Sequence, residues 1–261
     1  MKLKITCQLD YQTYQNVPLI FLLKLRPDFN QTILTEEFIV EPAVPVTEYL
    51  DHYGNYCQRM VSPMGQFSIK TSALVETAPT IEVDSSANFV LIQDVPDDVL
   101  LYLLPSRYCE SDKLLAKASE IIYYLSTGYE MVEAIRQWVR SNIKYEYNHS
   151  TPSTSAMDTL DSQVGVCRDL SHLAIALCRS INIPARFVVG YLHNLEPMDL
   201  HAWFEAYVGG KWYTFDATQE ITTGGRAVLA YGRDAADVAT MTYFGDLQLD
   251  SMFVGLEQIE A

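Results

Sequence analysis

The sequence predicts an α+β fold, with helices packed on an antiparallel sheet and a β-sandwich ahead of them. Three observations lead there. Apolar and polar residues alternate in the opening MKLKITCQLD, so Leu3, Ile5, Cys7 and Leu9 share one face. From Asp112 the apolar period changes to that of helices. Past Pro184 it changes again, and HAWFEAYV (201–208) and KWYTFDAT (211–218) read as two strands joined by Gly209-Gly210.

The first hundred residues offer further short strands at 20–25, 37–40, 55–61, 67–75 and 89–93, punctuated by proline, glycine and asparagine. Several short strands with turn signals suggest a sandwich. Next, Leu114, Ala118, Ile121, Ile122 and Leu125 fit one helix, with Ser111 as its expected N-cap. Val132, Ile135, Trp138 and Val139 fit a second, and Thr127 with Glu130 offers a capping box. In a third, Leu170, Leu173, Ala174, Leu177 and Ile181 form a stripe that Asn182 and Pro184 end. The expected organisation is an N-terminal β-sandwich over 1–104 and a core over 105–261.

Composition narrows the function. With 261 residues, 49% of them hydrophobic, the chain can form one large or two modest domains. A net charge of −15 repels a phosphate backbone, so no nucleic-acid partner is expected; an amine-bearing or basic protein substrate is mildly favoured. Apolar runs are too short to span a bilayer, so no membrane partner is expected. The opening lacks the apolar core of a signal peptide. Five cysteines, an odd number without paired spacing, point to a reducing, cytoplasmic setting. Zinc and EF-hand spacings are absent, so neither metal nor other cofactor is expected. Oligomeric state is not legible.

The chemistry concentrates in GVCRDLSHLAIALCRSINIPARFVVGYL (165–192) and the hairpin that follows. Cys167 falls at the mouth of the third helix, where unpaired N–H groups and the helix dipole favour a thiolate. Gly165 lets the chain turn tightly into that helix. A cysteine nucleophile needs a base and a carboxylate to orient it. His201 and Asp216 fit those roles by register. A two-residue turn pairs Val208 with Lys211, which brings Trp203 opposite Asp216. His201 lies two residues from Trp203, so His201 and Asp216 become diagonal neighbours, roughly 7–8 Å apart at Cα. Trp203 shares that face and is expected to wall a substrate cleft, whereas Trp212 reads as core. His172 lies off the apolar stripe and reads as a surface histidine. Cys7 and Cys178 read as packed. Asp169 suits a helix N-terminus electrostatically, and Arg233 with Asp234 reads as a loop lock.

These segments resemble the transglutaminase-like superfamily, which shares the papain-type arrangement of catalytic groups. The cysteine of a GxCxD-like segment matches Cys167, the histidine of an HAW segment His201, and the aspartate of a W-x-x-x-D segment Asp216. LLPSRYCESD (103–112), IRQWVRSNIKYEY (135–147), IPARFVVGYL (183–192) and YGRDAADV (231–238) look like bacterial members often described as candidate cysteine proteases. One departure is Asp216-Ala217-Thr218 where the family usually has Asp-Pro-Thr; backbone stiffness changes, the carboxylate does not. The resemblance implies a papain-like thiol-enzyme core and acyl transfer through a thioester. A protein, peptide or other amide is then the substrate, and water or an amine the acceptor. The backbone N–H of Cys167 would serve the oxyanion, with a second donor unidentified. The alternative is a non-catalytic protein-binding module on the same fold. Its usual mark, loss of one of the three residues, is absent.

Overall fold

The computed structural model describes residues 1–28 and 30–259. Six strands come first: β1 (Lys2–Thr13), β2 (Pro18–Phe21), β3 (Gln31–Glu41), β4 (Val46–Leu50), β5 (Tyr56–Val61) and β6 (Gly65–Thr77). Helices α1 (Asp97–Leu100), α2 (Leu115–Ile121) and α3 (Gly128–Asn142) follow. Then come β7 (Lys144–Tyr145), α4 (Ala156–Ser162), β8 (Val164–Gly165) and α5 (Cys167–Ser180). The chain finishes with β9 (Ala185–Leu192), β10 (His201–Val208), β11 (Lys211–Phe215), β12 (Arg226–Gly232), β13 (Met241–Tyr243) and β14 (Gln248–Ile259).

Two four-stranded sheets, β14-β1-β6-β3 and β13-β2-β5-β4, form the sandwich. Burial alternates along β1, as the opening period requires. Tyr11 of β1 meets Phe67 of β6 at 5.2 Å and Phe21 of the other sheet at 6.4 Å between ring centroids. The division at residue 104 follows chain order, but the last two strands hydrogen-bond into the sandwich, β13 to β2 and β14 to β1. Residues 89–93 do not join a sheet. They run into a 3₁₀ turn at Ile92–Asp94, and Val90 with Val95 and Val99 instead covers Tyr207 and Trp212. The apolar run there packs through side chains, without a strand partner.

The third sheet has the order β11-β10-β9-β12 and is antiparallel throughout. Its hairpin pairs Val208 with Lys211 and Phe204 with Phe215, and both turn glycines have positive φ. Strand β12 is an edge whose free side is not open. Gln31 clamps Val228 through both amide atoms (2.7 and 2.9 Å), and Asn55 does the same to Tyr231 (2.9 and 2.8 Å). All four bonds are buried, so two sandwich side chains stand in for a missing strand.

Helix α5 is buried from Asp169 to Arg179 on every side, against β9 and β10 on one flank and α2, α3 and α4 on others. That corrects the surface reading of His172, which is 0% exposed. A residue off the apolar stripe reaches solvent only on a surface helix, and this helix is central. Its ring stacks on Tyr108 (5.1 Å) and tilts against Phe187 (4.9 Å), while Nε2 accepts from the Ala235 N–H at 3.1 Å. Helix α2 begins at Leu115, and Ser111 opens a short 3₁₀ turn without acting as its cap. Thr127 does cap α3, accepting from the Glu130 N–H.

Candidate active site

The site gathers where the mouth of α5 meets the ends of β10 and β11. Strand β8 delivers the chain through Val166, in extended conformation, directly into α5 at Cys167. Asp169 reaches back to accept from the Val166 N–H at 3.0 Å, fixing the first turn. Its other oxygen takes Arg168, which also holds Ser150 and the Thr151 carbonyl, at 2.7 and 2.6 Å. Arg168 thus ties the 148–154 loop to the helix mouth. A Cβ at Gly165 would fall 2.8 Å from Asp169 Cβ, so the glycine makes this turn possible. Of the five cysteines four are buried, and Cys167 alone is partly exposed.

His201 begins β10 and is 2% exposed. Its Nε2 bonds Asp216 Oδ2 at 2.7 Å. Asp216 sits one residue past the end of β11, fully buried. Each carboxylate oxygen is engaged: Oδ1 accepts from the Thr218 N–H (2.9 Å) and hydroxyl (2.7 Å), and Oδ2 also accepts from Arg226 Nη2 (2.9 Å). Burial would push the Asp216 carboxyl up, but Arg226 and His201 together hold it well below the usual range. Burial works against the His201 cation too, yet Asp216 outweighs it and the ring rises to about 9. Cys167 adds to that rise.

Arg226 is a member of this cluster that local sequence patterns do not announce. It opens β12, is 8% exposed, and also bonds Gln219 Oε1 (2.6 Å) and the Thr223 carbonyl (2.8 Å). Its guanidinium lies over the Trp203 ring, 4.9 Å from the centroid. Trp203 does not wall an open cleft: it is 1% exposed and packs with Val188, Val228 and Tyr231. The indole stacks 6.1 Å from the His201 ring, at 25°. Its contribution is to the bed on which His201 and Arg226 rest. Trp212 lies partly buried, edge-on to Tyr102 and Tyr207. Arg233 locks its loop through Asp237 (2.9 Å) and Tyr53 (3.0 Å), not through its neighbour Asp234, which accepts from the Tyr108 N–H at 2.8 Å.

A cleft of about 640 Å³ lies against the two residues that follow Asp216, lined by Tyr145, Leu170, Ala217 and Thr218 among others; Cys167 and His201 do not line it. Arg140 borders it and donates to the Thr218 carbonyl at 2.7 Å.

The site thus holds a partly exposed thiol at a helix mouth and a buried histidine bonded to a buried carboxylate. Sequence comparison identifies the family. Residues 116–217 match the transglutaminase-like superfamily core and residues 1–98 the bacterial transglutaminase N-terminal domain. The chain belongs to the transglutaminase-like superfamily. A candidate cysteine protease from Cytophaga hutchinsonii, known from its crystal structure, is 37% identical with a TM-score of 0.94, covering 100% of this chain and 91% of that one. An uncharacterized protein of Mycobacterium leprae is 27% identical over 229 residues, 83% of this chain and 82% of its own. An uncharacterized protein of Mycobacterium tuberculosis is 28% identical over 124 residues, 42% of this chain and 40% of its own.

Proposed function

We propose that the protein is a cysteine-dependent acyl-transfer enzyme acting on peptide or other amide bonds, with Cys167, His201 and Asp216 as its catalytic residues. The observation that carries this reading is the buried 2.7 Å bond between His201 Nε2 and Asp216 beside the one partly exposed cysteine. With Nε2 engaged, Nδ1 is the ring nitrogen left to take the thiol proton. The sulfur attacks the amide carbonyl, forming a C–S bond and a tetrahedral oxyanion. The oxyanion collapses, the C–N bond breaks, and the imidazolium returns its proton to the departing amine. A thioester remains. Water, deprotonated by His201, attacks it, and the acid and free thiol are released; an amine acceptor would give a new amide instead. Asp216 fixes the ring's tautomer and stabilises its charged form.

We favour water as the usual acceptor, since the resemblance is to candidate proteases. Free cysteines without disulfides suit a reducing compartment, and we place the protein in the cytoplasm. Among the described residues no helix is long and apolar enough to cross a membrane. The test is a peptide library incubated with wild-type and Cys167→Ala protein, with and without a primary amine, read by mass spectrometry. Cleavage or amine incorporation by wild type alone is expected. Equal activity in the Cys167→Ala protein would overturn the assignment.

A further inference from the structure

Asp216 stands at the start of a turn: β11 ends at Phe215, and the Gln219 N–H donates to the Asp216 carbonyl at 3.3 Å. That turn carries more than the carboxylate. Thr218 supplies both donors to Oδ1, and the Gln219 side chain holds Arg226, the cation on Oδ2, at 2.6 Å. The placement of 216–220 therefore sets the carboxylate and its partners together. Ala217 has no ring to fix its φ, so the stiffness of this turn has to come from outside it.

Helix α3 supplies it. Arg136 is 3% exposed, and a guanidinium has five N–H donors. All five are used. Nε and Nη2 take the two oxygens of Glu133, at 2.8 and 2.7 Å, which offsets the buried charge. Nη1 donates to the carbonyls of Asp216 (3.3 Å) and Gln219, and Nη2 also to that of Glu220 (3.1 Å). Gln137 braces Glu133 from one side, at 2.8 Å. Arg140, four residues on and on the same face of the helix, reaches the Thr218 carbonyl at 2.7 Å. Four of the five carbonyls of 216–220 are thus tied to one helix.

We infer that Arg136 is a positioning residue for the reaction, holding the 216–220 turn so that the Asp216 carboxylate keeps the His201 ring in its reactive orientation, with Arg140 as a second, exposed tie. This assignment rests on the acyl-transfer reading above. It places the control of the carboxylate on a helix that bears none of the three catalytic residues.

The experiment compares wild type with Arg136→Lys and with the Arg136→Met, Glu133→Gln double variant. Arg136→Lys keeps the charge beside Glu133, but three donors on a point charge cannot meet five acceptors set for a planar fork. The double variant removes both charges at once and leaves no buried ion unpaired. Thermal melts establish which variants are folded. Turnover of p-nitrophenyl acetate gives kcat and KM, and NMR follows the His201 ring through its titration. The double variant is expected to lose roughly 10–100-fold in kcat with KM unchanged, and its His201 titration to fall from about 9 toward 6.5. Arg136→Lys is expected to lie between it and wild type in both readouts, and it carries the test alone if the double variant does not fold. A folded variant with the kcat of wild type, or with a lower kcat and an unmoved His201 titration, would overturn the assignment. Wild type that iodoacetamide labels at Cys167 but that never turns over p-nitrophenyl acetate would overturn the functional reading, and the assignment with it.

Discussion

Two histidines lie buried within the same core, and they differ in almost everything that matters for chemistry. His201, at the mouth of α5, faces a carboxylate at 2.7 Å and rises to about 9. His172, in the middle of α5, lies between two aromatic rings, and burial with the nearby Arg168 cation pushes it down to about 3. Burial is shared; the charge partner is not. A buried imidazole becomes a proton carrier near neutral pH only where a fixed anion offsets its desolvation. Without one it stays neutral and accepts a backbone hydrogen bond, as His172 does from Ala235.

The sharpest way to break this contrast is to remove groups from the mouth. Cys167→Ala is expected to abolish acylation while leaving the melt unchanged, since the side chain is small and partly exposed. His201→Ala should cost roughly 10³-fold or more in kcat, because the members act as a unit. Asp216→Asn keeps the shape, disturbs the tautomer and should cost somewhat less. Acylation rates measured at saturating p-nitrophenyl acetate check all three.

The contrast also makes a prediction about pH. With its pKa raised to about 9, His201 holds the proton it takes from the thiol until it can hand it to a leaving amine. Cleavage of an amide should therefore hold through neutrality and fall as pH rises through about 9. Stability has the same sign for this group: its contribution is full below the ordinary value of 6.5 and is lost as pH rises through about 9. His172 has the opposite sign. Its lowered pKa makes the unfolded chain bind the extra proton, so stability falls as pH drops from 6.5 toward 3. Denaturant melts of His172→Leu should show less of the acid-side loss and the same alkaline-side loss as wild type.

Arg226→Met sharpens the role of the fixed charges. It leaves Asp216 with one cationic partner instead of two, and breaking a buried ion pair costs about 3 kcal/mol of stability. Removing a neighbouring cation also raises His201 further, so the alkaline limb of the activity profile should move upward. A limb that stays put would show that Arg226 acts through packing on Trp203 alone. The smallest effect belongs to His172→Leu at neutral pH. It leaves the Ala235 N–H without its acceptor and should cost about 1–3 kcal/mol in a urea melt. Activity per folded molecule should be unchanged.

How much of this was legible follows from how local each signal is. The hairpin register is set by a two-residue turn, and that turn brings His201 toward Asp216 without knowledge of the rest of the fold. The helix mouth at Cys167 is equally local. Arg226 is not, because β12 joins the sheet beside β9, across from the hairpin, and no spacing relates it to Asp216. His172 misled because an apolar stripe indicates which face is buried most, not whether the opposite face reaches water. Strand β14 pairs with β1 at the far end of the sequence, a contact that alternation along β14 cannot announce.

The central claim is that Cys167 is the activated thiol among five. Iodoacetamide labelling against pH, with each cysteine followed by peptide mapping, tests it most directly. Cys7, Cys57, Cys109 and Cys178 are buried, and burial pushes each thiol up and away from reactivity. The account predicts that Cys167 is labelled first near neutral pH, and that His201→Ala slows this labelling. Faster labelling of Cys57 or Cys109, or a Cys167 rate indifferent to His201, would contradict it.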